Sequence, residues 1–110
     1  MNARFNDIND TQQLETLFQN SFNSPVVLFK HSITCPISAD VYREISKVDA
    51  EINLVIVQQA RDVSTTIAEK TGIRHESPQA IILKGGKAVY NASHYSIEAK
   101  EVEKMLASNI

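Results

Sequence analysis

The sequence predicts an α/β fold, a central mixed sheet flanked by helices, with residues 1–110 forming a single domain. Three observations carry this reading. Continuous apolar runs rich in β-branched residues, "VVLF" at 26–29, "INLVIV" at 52–57 and "AIIL" at 80–83, read as strands buried on both faces. Segments with the 3.6-residue period of an amphipathic helix alternate with them. Finally, "KGGK" leads into the alternating "AVYNA" at 88–92, a tight turn followed by an antiparallel strand, which makes the sheet mixed.

A first strand falls within "ARFNDI". Asp10 with Gln13 then forms a capping box, and Leu14, Leu17, Phe18 and Phe22 line one face of a helix that "NSP" stops at Pro25. The second helix starts at Pro36, whose missing N–H costs nothing at the first helical position, and Ile37, Val41, Ile45 and Val48 form its buried stripe. Asp62 caps a third helix carrying Val63, Ile67 and Ala68, closed by Gly72. Ser96 caps a fourth carrying Ala99, Val102 and Leu106. The order is β-α-β-α-β-α-β-β-α.

Composition narrows the function classes. Eleven basic and thirteen acidic side chains give a net charge of −2 without any Lys/Arg cluster, which argues against nucleic acid as a partner. No apolar run approaches the ~18 residues that span a bilayer, and "MNARFNDIND" does not read as a secretory signal. The single cysteine forms no disulfide within the chain and fits the reducing cytoplasm. His31, His75, His94 and Cys35 lack metal-ligand spacing, so no metal is expected, and no glycine-rich phosphate loop or Ser-His-Asp arrangement is visible.

The chemistry therefore rests on "HSITCPIS". Cys35 falls at the N-terminus of a helix, where unpaired N–H groups and the positive end of the dipole favour a thiolate, the nucleophile of thiol–disulfide exchange. Ser38, one turn on, is in reach of the Cys35 sulfur; the plain alternative is a solvated first-turn serine. Pro36 sets the helix start. Lys30 is expected to end a strand in solvent, although Lys30 and His31 are also candidates for raising the local positive potential.

"VVLFKHSITCPIS", "HESPQAIILKGGK" and the closing amphipathic helix resemble, in this order, the thioredoxin fold and its Cys-x-x-Cys or Cys-x-x-Ser site. More narrowly, "TCPIS", "ESPQA" and "ASHY" resemble the monothiol bacilliredoxins of bacillithiol-using bacteria, which remove bacillithiol from modified protein cysteines. The resemblance implies that Cys35 is the nucleophile, that Pro78 is cis and faces it, and that Thr34 stands where dithiol thioredoxins carry Trp. The backbone of Ser77 would pair with an extended substrate, with Thr34, Ser77 and Pro78 on the substrate side. Ser38 replaces the resolving cysteine, so bacillithiol acts as co-substrate, bacillithiolated proteins are the partners, and a second thiol or a disulfide reductase must recycle Cys35. Ser93, His94 and the N–H groups after Ser96 are assigned as an anion site for the malate carboxylates of bacillithiol, against the alternative of a polar turn. Two other functions remain open on sequence: a non-catalytic thioredoxin-like binding module and a thiol peroxidase.

Overall fold

The computed structural model describes residues 2–110. Its elements follow the expected order: β1 (Arg4–Asp7), α1 (Thr11–Asn20), β2 (Val26–His31), α2 (Pro36–Ile45), β3 (Glu51–Ile56), α3 (Arg61–Thr71), β4 (Gln79–Lys84), β5 (Lys87–Ser93), a 3₁₀ turn at His94–Ser96 and α4 (Ala99–Ser108). The strands form one mixed sheet in the order β1-β3-β2-β4-β5, parallel for β1/β3 and β2/β3 and antiparallel for β2/β4 and β4/β5. No helix among the described residues is long and apolar enough to cross a membrane.

The unbroken apolar runs have a direct explanation, because the central strands are covered on both faces. Val27, Phe29, Ile52, Leu54, Ala80 and Ile82 point to one side and pack with Val41 and Ile45 of α2 and Ala99 and Val102 of α4. Val26, Leu28, Val55, Ile81 and Leu83 point to the other, against Leu14 and Phe18 of α1 and Val63 and Ile67 of α3. Each large side chain so buried contributes about 1.5–3 kcal/mol.

Element ends depart from the sequence reading where long-range contacts set them. Asp10 caps α1, its Oδ1 accepting the Gln13 N–H at 2.8 Å, while Gln13 Oε1 reaches back to the Asn9 N–H at 2.7 Å. However, α1 stops at Asn20, and Phe22 is 61% exposed instead of continuing the core stripe. The buried Ser21 diverts the chain: its carbonyl accepts the Gly85 N–H and its Oγ the Gly86 N–H, tying the helix end to the β4–β5 turn. Phe22 lies over Gly86, where φ is +77° and a Cβ would come within 2.8 Å of the ring.

Neither Asp62 nor Ser96 is a cap. α3 begins at Arg61, two residues earlier than a cap at Asp62 would place it, after the buried Ala60, and Asp62 Oδ1 instead accepts the Val63 N–H. Ser96 belongs to the 3₁₀ turn, and Glu98 is the N-cap residue of α4. Burial of Ile97 between them sets where that helix starts, and the Ala99 N–H is satisfied by Glu44 Oε2 of α2 at 2.8 Å.

Candidate functional site

Cys35 is half-buried at the N-cap of α2, with φ −105° and ψ 120°, and Pro36 follows at the first helical position. The Cys35 carbonyl accepts the Ala39 N–H at 3.1 Å, opening the helix. No acidic residue lies in the first turn of α2. Among the described residues, no side chain donates a hydrogen bond to the Cys35 sulfur.

Ser38 takes neither of the positions that the sequence suggested. Its side chain is fully buried, and its Oγ accepts the Ser32 N–H at 3.0 Å and lies 2.8 Å from His31 Nδ1. Burial holds the His31 ring below the usual histidine range and so favours its neutral form. Ser38 Oγ is thus engaged from two sides, by the Ser32 N–H and by His31 Nδ1. His31 is held in turn by the Tyr42 ring, with centroids 5.0 Å apart, and by Phe29 at 5.9 Å.

The loop before Cys35 is braced from the other side by Gln58, which follows β3. Its Nε2 donates to Ser32 Oγ at 2.8 Å and to Thr34 Oγ1 at 3.2 Å, and its Oε1 accepts the Ile33 N–H at 3.2 Å. Thus Thr34, expected on the substrate side, is exposed and held by a residue that no sequence pattern singles out.

The Ser77–Pro78 peptide is cis. Pro78 directly precedes β4, whose Gln79 pairs with Lys30 near the end of β2, so register brings Pro78 to the edge of the sheet from which the Cys35 loop departs. The Pro78 carbonyl accepts the His94 N–H at 3.0 Å, which adds residues 93–95 to the same edge; His94 is left-handed at φ 55°.

The corner assigned to an anion is occupied by acids. Ser93 Oγ donates to Glu76, whose carboxyl is held below its usual range chiefly by that bond. The His94 side chain is exposed, and the first N–H of α4 is taken by Glu44. Ser93 Oγ and the Ala99 N–H, two of the donors assigned to the anion, are therefore engaged by carboxylates of the chain itself. Instead the neighbouring Tyr95 is brought to the site: its hydroxyl donates to Asp40 Oδ2 at 2.8 Å. That bond, then desolvation and the negative charges of Asp40 and Cys35, push the phenol up from its usual value, which puts Tyr95 within electrostatic reach of the Cys35 sulfur.

Lys30 is the largest departure. It does not end β2 in solvent but is fully buried, and burial pushes its ammonium down to about 8. It lies on the face of β2 that carries Val26 and Leu28, under α3, and its Nζ donates to His75 Nδ1 at 3.1 Å. A lysine that follows four consecutive buried strand residues was the one available signal. His75 is held below the usual histidine range by burial and by the Lys30 charge, which keeps its ring neutral with the proton on Nε2.

A mixed β1-β3-β2-β4-β5 sheet with a thiol at the N-cap of α2 and a cis-proline entering β4 defines the thioredoxin fold class of thiol oxidoreductases. The comparisons agree with that class. A solved structure described as a candidate oxidoreductase with a thioredoxin fold is 37% identical, with a TM-score of 0.82 over 93% of this chain and 91% of that one. Thioredoxins share the fold at lower identity: that of Schistosoma mansoni at 22%, TM-score 0.71, over 97% of this chain and 96% of its own, and that of Malassezia sympodialis at 14%, TM-score 0.71, over 99% and 92%. The profile described as "Monothiol bacilliredoxin BrxC" matches residues 6–102, and the chain belongs to that family.

Proposed function

We propose that this protein is a monothiol thiol–disulfide oxidoreductase that removes bacillithiol from S-bacillithiolated protein cysteines in the cytoplasm. The observation that carries the reading is Cys35 alone at the N-cap of α2, with a buried Ser38 committed elsewhere at the position of a resolving thiol. The Cys35 thiolate attacks the bacillithiol sulfur of the mixed disulfide. That S–S bond breaks, the substrate cysteine leaves as a thiolate and takes up a proton, and a Cys35–bacillithiol disulfide forms with no net change in oxidation state. Cys35 stands at the N-cap of α2, and Pro36 removes the first N–H that could turn elsewhere.

The backbone of Ser77, before the cis-proline, is the edge on which an extended substrate adds as a strand, with Thr34 on the opposite side of the thiol. Because the chain has no second cysteine, a second molecule of bacillithiol or a disulfide reductase must attack the Cys35 adduct to release it.

The test is intact-mass analysis after incubation with a bacillithiolated protein. The wild-type chain should gain the mass of one bacillithiol as the substrate loses it, and Cys35→Ala should do neither while keeping its circular dichroism. Transfer by Cys35→Ala would remove the thiol from the mechanism. A wild-type chain that binds the substrate without taking the adduct would make it a binding module.

A further inference from the structure

Beyond the thiol, the end of β3, the first turn of α3 and the segment before Pro78 enclose an open cleft of about 350 Å³ lined by Val57, Gln58, Arg61, Ser64, Thr65 and His75. Two polar groups around it have no partner of the kind they require. Ser64 is only 6% exposed, and its Oγ makes no hydrogen bond among the described residues. Lys30, behind His75, is a fully buried cation that forms no ion pair among the described residues; it donates a hydrogen bond to the neutral His75 ring. A buried hydroxyl left unpaired is destabilising, and a buried charge left unpaired more so. Arg61 adds a second, exposed cation at the mouth.

The acids nearby are already engaged. Asp62 accepts the Val63 N–H, and Glu76 accepts from Ser93. The cleft also joins the thiol through one residue, because Gln58 lines it and bonds Ser32, Ile33 and Thr34, the three residues before Cys35.

We propose that this cleft is the subsite for the carboxylate-bearing, hydroxyl-rich end of the low-molecular-weight thiol, an assignment that rests on the transfer reaction proposed above. A thiol disulfide-bonded to Cys35 extends over Thr34 and Gln58. Its carboxylate meets Arg61 and the field of Lys30, and the Ser64 hydroxyl, buried beneath the lining, turns outward to pair with a hydroxyl or carboxylate oxygen.

Arg61→Gln and Ser64→Ala, assayed with a bacillithiolated peptide, should raise KM about tenfold for the arginine variant and less for the serine variant, with kcat within twofold. The preference for that peptide over the same peptide carrying neutral mercaptoethanol should fall by the same factor. Independently of turnover, titrating bacillithiol into ¹⁵N-labelled Cys35→Ala should shift the amides of Arg61, Ser64 and His75. An unchanged KM in both variants, equal losses on both peptides, or shifts confined to residues 93–98 would overturn the assignment. If wild-type transfer itself fails, the function above fails with it, while the titration still reports on the cleft.

Discussion

At the scale of single residues, Ser38 shows how one hydroxyl can be structural at a position that looks chemical. Its Oγ is the acceptor for the Ser32 N–H, inside the protein and away from water. Ser38→Ala leaves that N–H without a partner and strips His31 of its hydrogen bond, so we expect a loss of about 1–3 kcal/mol in urea unfolding. Transfer should slow as well, because Ser32 starts the loop that ends in Cys35. A variant with unchanged stability would show that the loop finds other partners. The substitution Ser38→Cys, attractive for building a dithiol, removes the same acceptor and so tests two things at once. Ser38→Ala is the cleaner variant.

At the scale of elements, the start of α4 is decided by its neighbour. Glu44 of α2 accepts the Ala99 N–H at 2.8 Å, whereas Ser96, two residues before the cap, makes no capping bond. Glu44→Ala should therefore cost about 1 kcal/mol, the usual worth of a helix N-cap, and Ser96→Ala should stay within about 0.5 kcal/mol. Thermal or urea unfolding of the two variants separates them, and the reverse ranking would restore the serine as the cap. The Glu44 carboxyl is held below its usual range first by the Ala99 N–H and then by Lys47. Its contribution is present above the ordinary carboxyl value and is lost as pH falls through the lowered one. The same interaction ties α2, whose first turn carries Cys35, to the last helix of the chain.

At the scale of the whole molecule, the buried Lys30 makes stability depend on pH in the alkaline range. Its folded-state value of about 8 lies below the 10.5 of a free lysine, so between these limits the unfolded chain binds more protons than the folded one. Stability should thus rise from pH 8 towards 10, and the cost of keeping the ammonium buried, on the order of 3 kcal/mol, applies in full below pH 8. Lys30→Met should be more stable than wild type at pH 7 and should lose most of that rise, as read by urea unfolding at pH 7, 8.5 and 9.5. A wild-type curve that is flat or falling over this range would mean that the buried Lys30 charge does not carry this cost. His31 and His75 act in the same direction at lower pH: both are held below the free-histidine value, so stability falls as pH drops through 6.5. A protein that keeps an uncompensated cation beneath a cleft carries a cost that an anionic ligand would offset.

The sequence by itself determined the order of elements, the mixed sheet, the two-sided burial of β2, β3 and β4, and the position of Cys35 at the start of a helix. Each of these depends on neighbours a few residues apart: a run such as "VVLF", a Cys-Pro junction, a Gly-Gly turn. Asp10 and Gln13 were legible as a cap for the same reason. Only the tertiary structure decided what the polar side chains do. Ser38 turns to His31 and Ser32 because the end of β2 passes beside the first turn of α2. Lys30 is buried because α3 crosses its face of the sheet, and it meets His75 across 45 residues of chain. Glu44 reaches Ala99 across 55, and Gln58 reaches Ser32 across 26. A hydrogen bond is specific to distance and direction in space, whereas periodicity records only which side of an element is dry. The thiol was therefore readable from its own helix, and the groups that surround it were not.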